Sequence, residues 1–386
     1  ARRIAALHSA EPDTLSVAVL TPETIYNEFS SGTADYNAFR RLMKMYYDRS
    51  AADPTVRVPR YLLLMGGVTY DHRRLTSAWR NSAATSVPTW QTDVANSESY
   101  SYCSDDPVAF LDDNAGLLTG RDVMNIAVGR IPARSAAEAK VFTDRLESYL
   151  TKPIEGEWRN RVLLLADDGD NGVHLSQTED LEESMRGHGS GEDMTYRKVY
   201  LDAYALQGGV TVAGRDKLHS LLSDGVVWWN YIGHASPTAL SGEGVFTIQD
   251  VRGLYLKEPA FFYGATCSFV EWDRIEEAGL QQLTRSESGG LIGGIAAVRP
   301  VQIARNGPFA ATMGSELFTR TSDGRMRPVA EVLRLAKNRT LNENNKMRYV
   351  MLGDPAMRLA VPGNTVTLDS VNGIKVTPIY DEDTDP

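Results

Sequence analysis

The sequence predicts an α/β fold built on a mostly parallel sheet with helices on both faces. Helix-like and strand-like segments alternate along the chain, the order that gives a layered α/β domain. Several strand-like segments are short, continuous apolar runs closed by glycine or acidic turns, such as RYLLLMGG (60–67) and RVLLLADDGD (161–170). That pattern marks strands buried on both faces. Helix starts are signalled by Ser135 with Glu138 and by Ser176 with Glu179, both at capping-box spacing.

In chain order, LSVAVLTP (15–22) reads as a strand, and YNAFRRLMKMYYDRSA (36–51) as a helix with Phe39, Leu42, Met43 and Tyr46 on one face. RYLLLMGG follows as a strand, and residues 87–116 are polar and loop-rich. NIAVGRIPA (125–133) is a strand, and 135–153 a helix closed by Pro153. Then come strand 161–170, helix 176–187, strand 195–203 and helix 214–225, which ends at glycine. Two apolar runs, VVWWNYIGHAS (226–236) and PAFFYGATCSF (259–269), are the next strands. SGGLIGGIAAVRP (288–300) is a glycine-rich strand whose glycines read as a packing device. Residues 308–321 and 327–341 are helices. MLGDPAMRLAVP (351–362) leads to β-branched alternation around Asn372-Gly373, the signature of a hairpin.

With 386 residues, the chain is longer than one simple core needs. It divides into an N-terminal α/β subdomain (1–155), a second α/β subdomain (156–362) and a hairpin or linker into a following β domain (363–386). The apolar fraction is 42% and the charged fraction 23%, as in globular proteins. A net charge of −10 without a dense Lys/Arg patch argues against nucleic acid as a partner. No 18-residue apolar run predicts a transmembrane helix. The N-terminal ARRIAALHSAEPD lacks the apolar segment of a signal peptide.

Two residues carry chemistry. His234 and Cys267 each stand where an apolar strand stops and the chain turns. A thiol needs a neighbouring base to act as a thiolate near neutral pH. The chain offers two cysteines, and the spacing of Cys103 and Cys267 does not favour a disulfide. In this reading His234 takes the thiol proton and later delivers it to the leaving amine. Gly233 allows close backbone approach, and its N–H is a candidate oxyanion donor beside that of Cys267. The loop ADDGDNGVH (166–174) ends a strand, where open α/β sheets place ligands. Asp167 or Asp168 could orient His234 there, or the loop could bind calcium, or it is a solvated turn. It does not fit the EF-hand pattern, because Val173 takes the place of the required glycine. A second acidic loop, SDDPVAFLDDNAG (104–116), makes Asp105, Asp106, Asp112 and Asp113 candidate calcium ligands. No HExxH or CxxC pattern points to zinc.

The chain resembles the gingipain-type cysteine peptidases of family C25, and within them the sortase branch of the type IX secretion system of Bacteroidetes. The motifs that carry this are NYIGHAS around His234, FFYGATCSF around Cys267, LGDPAMRL (352–359), residues 25–49, RYLLLMGGVTYDHR (60–73), SDDPVAFLDD (104–113) and VGRIPARS (128–135). The resemblance spans roughly residues 20–362. It implies a caspase-like fold in two subdomains, followed by an Ig-like β domain. Cys267 would be the nucleophile, His234 the base, and Asp167 the acidic residue near that histidine. No cofactor would be required, with calcium allowed. The implied activity is removal of the C-terminal signal domain from secreted cargo, with transfer of the new carboxyl terminus to a lipopolysaccharide acceptor. Other type IX secretion components would be partners, and the location would be the outer-membrane surface. Two departures stand out. Ala235 replaces the family's glycine after the histidine, and the DNG triplet (170–172) is followed by Val173, His174 and Leu175 instead of an S1 aspartate. The rival expectation is a non-catalytic or latent module that binds the cargo signal domain as a scaffold.

Overall fold

The apolar runs pair into one eight-stranded sheet. The computed structural model describes residues 1–94, 96–97, 100–116, 121–152, 154–340, 345–363, 370–372 and 374–375. The strands are β1 (Tyr61–Met65), β2 (Ala127–Ile131), β3 (Arg161–Ala166), β4 (Thr195–Tyr200), β5 (Trp228–Ile232), β6 (Phe261–Ala265), β7 (Gly293–Ala297) and β8 (Tyr349–Leu352). Their order is β1-β2-β8-β7-β6-β5-β3-β4. Every neighbouring pair is parallel except β7 with β8. The sheet therefore has a three-strand wing (β1, β2, β8) and a five-strand wing joined at one antiparallel seam. Strand β8 comes from the second half of the chain yet lies in the wing of β1 and β2.

Period-two alternation sends successive side chains to opposite faces, so the central strands, covered on both, are apolar apart from Asn230, while the edge strand β4 (TYRKVY) leaves Thr195, Arg197 and Lys198 exposed. Val162, Leu164, Trp228, Ile232, Phe261 and Tyr263 face one core layer. Leu163, Leu165, Trp229, Tyr231 and Phe262 face the other. Helices α2 (Ala136–Thr151), α3 (Val173–Arg186), α5 (Ile303–Leu317) and α6 (Val329–Arg339) supply Phe142, Leu181, Phe309 and Val332 to the first layer. Helix α4 (Val212–Ser223) supplies Leu218 and Leu222 to the second. Helix α1 (Tyr36–Ala52) packs Phe39, Leu42 and Met43 into a third cluster with Leu64 and Val128. Tyr46, expected on that face, is exposed, and the buried stripe of α1 stops at Met43. Gly293 and Gly294 act as the packing device expected of them. An added Cβ would lie 2.8 Å from the Leu352 carbonyl oxygen at Gly293 and 2.7 Å from the Leu280 side chain at Gly294.

Four local expectations are corrected. Residues 15–20 form no strand: they run extended without a ladder partner, with Val17, Val19 and Leu20 exposed. A helix (Pro22–Phe29) capped by the Thr21 side chain follows at once. Helix α3 starts at Val173 instead of 176, because Gly172 in the left-handed region is its N-cap, so Ser176 lies inside the helix and makes no cap. Helix α5 starts at Ile303 and runs through Pro308. The aspartates of the 104–116 loop do not converge on a common ion position. Asp105 makes a two-pronged ion pair with the fully buried Arg130 at 2.7 and 2.9 Å, and Asp106 holds buried Lys337 with both oxygens at 2.7 Å. Asp113 meets Lys44 at 2.7 Å, and Asp112 meets Tyr47 and Asn125 at 3.1 Å. Carboxylates taken out of water need such partners, and here protein groups supply them. Pro153 falls outside the described residues. Ser370–Val371 pairs antiparallel with Ile374–Lys375 across Asn372 (φ 51°), as the hairpin reading requires.

Candidate active site

Strand register builds the site. β3, β5 and β6 are neighbours and parallel, and Ala166, Ile232 and Ala265 are mutually aligned at their carboxyl ends. One or two residues further on stand Asp167, His234 and Cys267. The sheet thus places three residues from distant parts of the chain on one edge, where α/β sheets bind ligands.

Each residue is held by its own turn. After Cys267 the chain reverses sharply: Ser268 has φ 50° and the Phe269 N–H donates to the Cys267 carbonyl at 2.6 Å. Such a turn presents the thiol, which is half-buried. Its Sγ accepts from the Val301 N–H at 3.3 Å. Thr266 Oγ1 donates to the Gly233 carbonyl at 2.6 Å, tying the thiol turn to the histidine turn. Gly233 has no room for a side chain, since a Cβ there would lie 2.3 Å from Asp167 Cβ and 2.5 Å from Tyr231 Oη. That close approach lets Asp167 Oδ2 accept the His234 backbone N–H at 2.8 Å. The Tyr231 hydroxyl donates to the His234 carbonyl at 2.5 Å.

The ring of His234 points elsewhere. Its Nε2 pairs with Asp170 Oδ2 at 2.6 Å, and no hydrogen bond joins it to Cys267. Asp170 also meets His174 Nε2 at 3.2 Å, and the two imidazoles stand edge to face at 5.1 Å. Asp167, expected to orient the ring, therefore holds the histidine backbone, and Asp170 holds the ring. Sequence reasoning missed Asp170 and His174 in these roles. Their i, i+4 spacing in DNGVH was the available signal.

The local charges follow from burial. Asp167 is buried and its Oδ1 has no hydrogen-bond partner. Burial pushes its carboxyl up to about 6, against the bond from His234 N–H. Asp168 is raised by burial and by Glu243 beside it. The bond from His234 holds Asp170 below the usual carboxylate range, while burial pushes His174 down. Among the described residues, two groups have convergent ligand atoms: Asp170 with His174 and His234, and Asp167 with Asp168 and Glu243. Cys103 lies buried with its Sγ 3.4 Å from Asp273, and burial pushes its thiol well up. Both cysteines are free.

Comparison with known proteins bears on the fold. The structure resembles the Arg-specific cysteine proteinase gingipain R (RgpB), with TM-score 0.64 at 19% identity over 88% of this chain and 72% of that one. It also resembles a complex of Porphyromonas gingivalis RgpB pro- and mature domains, with TM-score 0.68 at 19% identity over 93% and 76%. Dimeric latent PorU from Porphyromonas gingivalis gives TM-score 0.51 at 21% identity over 94% of this chain but 29% of that one. No curated protein matches by sequence. No helix among the described residues is long and apolar enough to cross a membrane. The model of Peptidase family C25 matches residues 1–360, so the chain belongs to that family and is a cysteine peptidase.

Proposed function

We propose that the chain is the catalytic unit of a sortase-type endopeptidase and transpeptidase. The carrying observation is the placement of Cys267 and His234 at the aligned ends of neighbouring parallel strands. In this reading His234 turns from Asp170 to take the Cys267 proton. The thiolate attacks the scissile carbonyl, and the tetrahedral oxyanion is met by the Cys267 and Gly233 N–H groups. The C–N bond then breaks as His234 returns the proton to the leaving amine. A thioester remains on Cys267. Water resolves it by hydrolysis; an amine resolves it by forming a new amide, with His234 accepting the amine's proton. The substrate would be the C-terminal signal domain of secreted cargo and the amine a lipopolysaccharide acceptor. The sequence motifs shared with the sortase branch of family C25, among them residues 25–49, SDDPVAFLDD (104–113) and VGRIPARS (128–135), support that choice.

A second reading, a latent or scaffold module, draws on one contact set. The His234 ring is engaged by Asp170 and the thiol by Val301, so the pair is parted. Labelling with a thiol-directed electrophile across pH 5–9, read by intact mass, separates the two. The peptidase reading expects labelling at Cys267 well below the ~8.5 of a free thiol, weakened in His234→Ala and absent in Cys267→Ala. Cys103 stays silent because it is buried. Labelling indifferent to His234 favours the latent reading.

A further inference from the structure

We propose that Asp170, His174 and His234 form a binding site for a zinc-type divalent ion, whose occupation removes the base from Cys267 and holds the enzyme off. The regulatory half rests on the reading of His234 as the base; the binding half does not.

The donor set selects the metal. Two imidazoles and one carboxylate suit zinc and its neighbours, which accept three protein ligands and leave a fourth position open. Calcium prefers six to eight oxygens. The three ligand atoms lie within 4.8 Å of one another, and both Nε2 atoms converge on the same Asp170 oxygen, at 2.6 and 3.2 Å. A tetrahedral ion with ligands near 2.0–2.1 Å spaces them about 3.3 Å apart. The Asp170–His174 contact has that spacing already, and the Asp170–His234 contact opens by under about 1 Å.

The site is also prearranged. Gly169, Asp170, Asn171 and Gly172 all have positive φ, from 44° to 73°. This left-handed run, costly for Asp170 and Asn171, lifts the carboxylate over the first turn of α3. There His174 is 3% exposed, with Nε2 turned to Asp170. His174 forms the floor, while His234 and Asp170 side chains are 65% and 46% exposed, so an ion enters from solvent. Each imidazole binds through its Nε2 lone pair and keeps its ring proton on Nδ1; a ring that is protonated beforehand releases its Nε2 proton to solvent, without redox change. An ion at this position fixes the His234 ring away from Cys267.

The test is calorimetric titration of zinc chloride into the Cys267→Ala protein, where no reactive thiol competes. One ion per chain is expected, with affinity falling at least about tenfold in Asp170→Asn and in His174→Gln. Calcium chloride at equal concentration should not displace it. No binding, or binding unchanged by both substitutions, overturns the site. Asp170 is exposed, so Asp170→Asn decides the matter if buried His174→Gln does not fold, as checked by circular dichroism. With Cys267 present, zinc inhibition should require at least tenfold more metal in His174→Gln; equal inhibition overturns the regulatory half. Zinc bound as expected to a protein without peptidase activity refutes the proposed chemistry and leaves the site standing.

Discussion

Replacing Asp167 by Asn should stabilise the protein at neutral pH while harming catalysis. Asp167 is 2% exposed, accepts one backbone N–H, and leaves Oδ1 unpartnered. Burial raises its carboxyl from the ordinary 3.8 to about 6. Between these values the unfolded chain has released the proton and the folded chain keeps it. Stability therefore falls with rising pH across this window, at about 1.4 kcal/mol per pH unit. The total is about 3 kcal/mol above pH 6, relative to conditions below pH 4. Asn keeps an oxygen for the His234 N–H and carries no charge to desolvate. The difference in unfolding free energy between Asp167→Asn and wild type should therefore grow from pH 4 to pH 6 and stay flat above. Guanidinium denaturation at half-unit intervals from pH 4 to 8 reads this directly. Other titrating groups cancel in the difference. Parallel curves for the two proteins would refute the reasoning, because they mean the folded carboxyl titrates as in the unfolded chain. If the charge also helps to hold His234 in place, kcat/KM falls by up to about 10²-fold, the scale of a 1 Å misplacement.

Three further perturbations test other parts. Lys337→Met leaves Asp106 buried without its cation and should cost about 3–5 kcal/mol, read by chemical denaturation; a loss below 1 kcal/mol contradicts the pairing. His8 is opposed by burial, but Asp13 and Asp354 at 2.6 and 2.5 Å outweigh it and raise the imidazole from 6.5 to about 9. Its stabilisation is present below pH 6.5 and is lost as pH rises through 9, up to about 3 kcal/mol; His8→Gln should remove that slope in a pH series of unfolding curves. Gly233→Ala forces its Cβ against Asp167 and Tyr231 and should cost about 1–3 kcal/mol of stability and at least tenfold in kcat/KM; unchanged turnover would mean that the His234 turn tolerates displacement.

The central strands were legible because a strand buried on both faces is apolar at nearly every position, as Val162–Leu165 and Phe261–Tyr263 are, with buried Asn230 of β5 the exception. The positions of His234 and Cys267 were legible for a related reason: each follows a buried run and precedes small residues that permit a turn. Residues 15–20 show the limit of pattern. Alternation makes a segment compatible with a strand, but a ladder needs a free edge beside it, and none meets LSVAVL. The 104–116 loop shows another limit. Four aspartates suggest a cation, and the sequence does not reveal that Arg130 on β2 and Lys337 on α6 reach two of them.

The site itself divides along the same line. Parallel register carries Asp167, His234 and Cys267 to one edge, and register follows from which faces are buried. Ring direction does not. The His234 side chain chooses between Asp170 and Cys267 by rotation about its own bonds, within a backbone the sheet already holds. What biases the choice is the left-handed run Gly169–Gly172, which lifts Asp170 to the ring. Gly, Asp and Asn are the residues that tolerate that region, so the sequence announced a tight turn without announcing where its carboxylate would point. Placement of Cys267 and His234 is thus a property of the sheet, while, on the function proposed above, whether the two engage is a property of one loop. A variant that straightens the loop, such as Gly172→Ala (φ 73°, with open space around its Cβ position), should shift the ring toward Cys267 without disturbing β5 or β6. Faster thiol labelling with stability lowered only by the roughly 1 kcal/mol that Ala costs at this φ would show the two properties to be separable; slower labelling with a larger loss of stability would show that loop and sheet act as one unit.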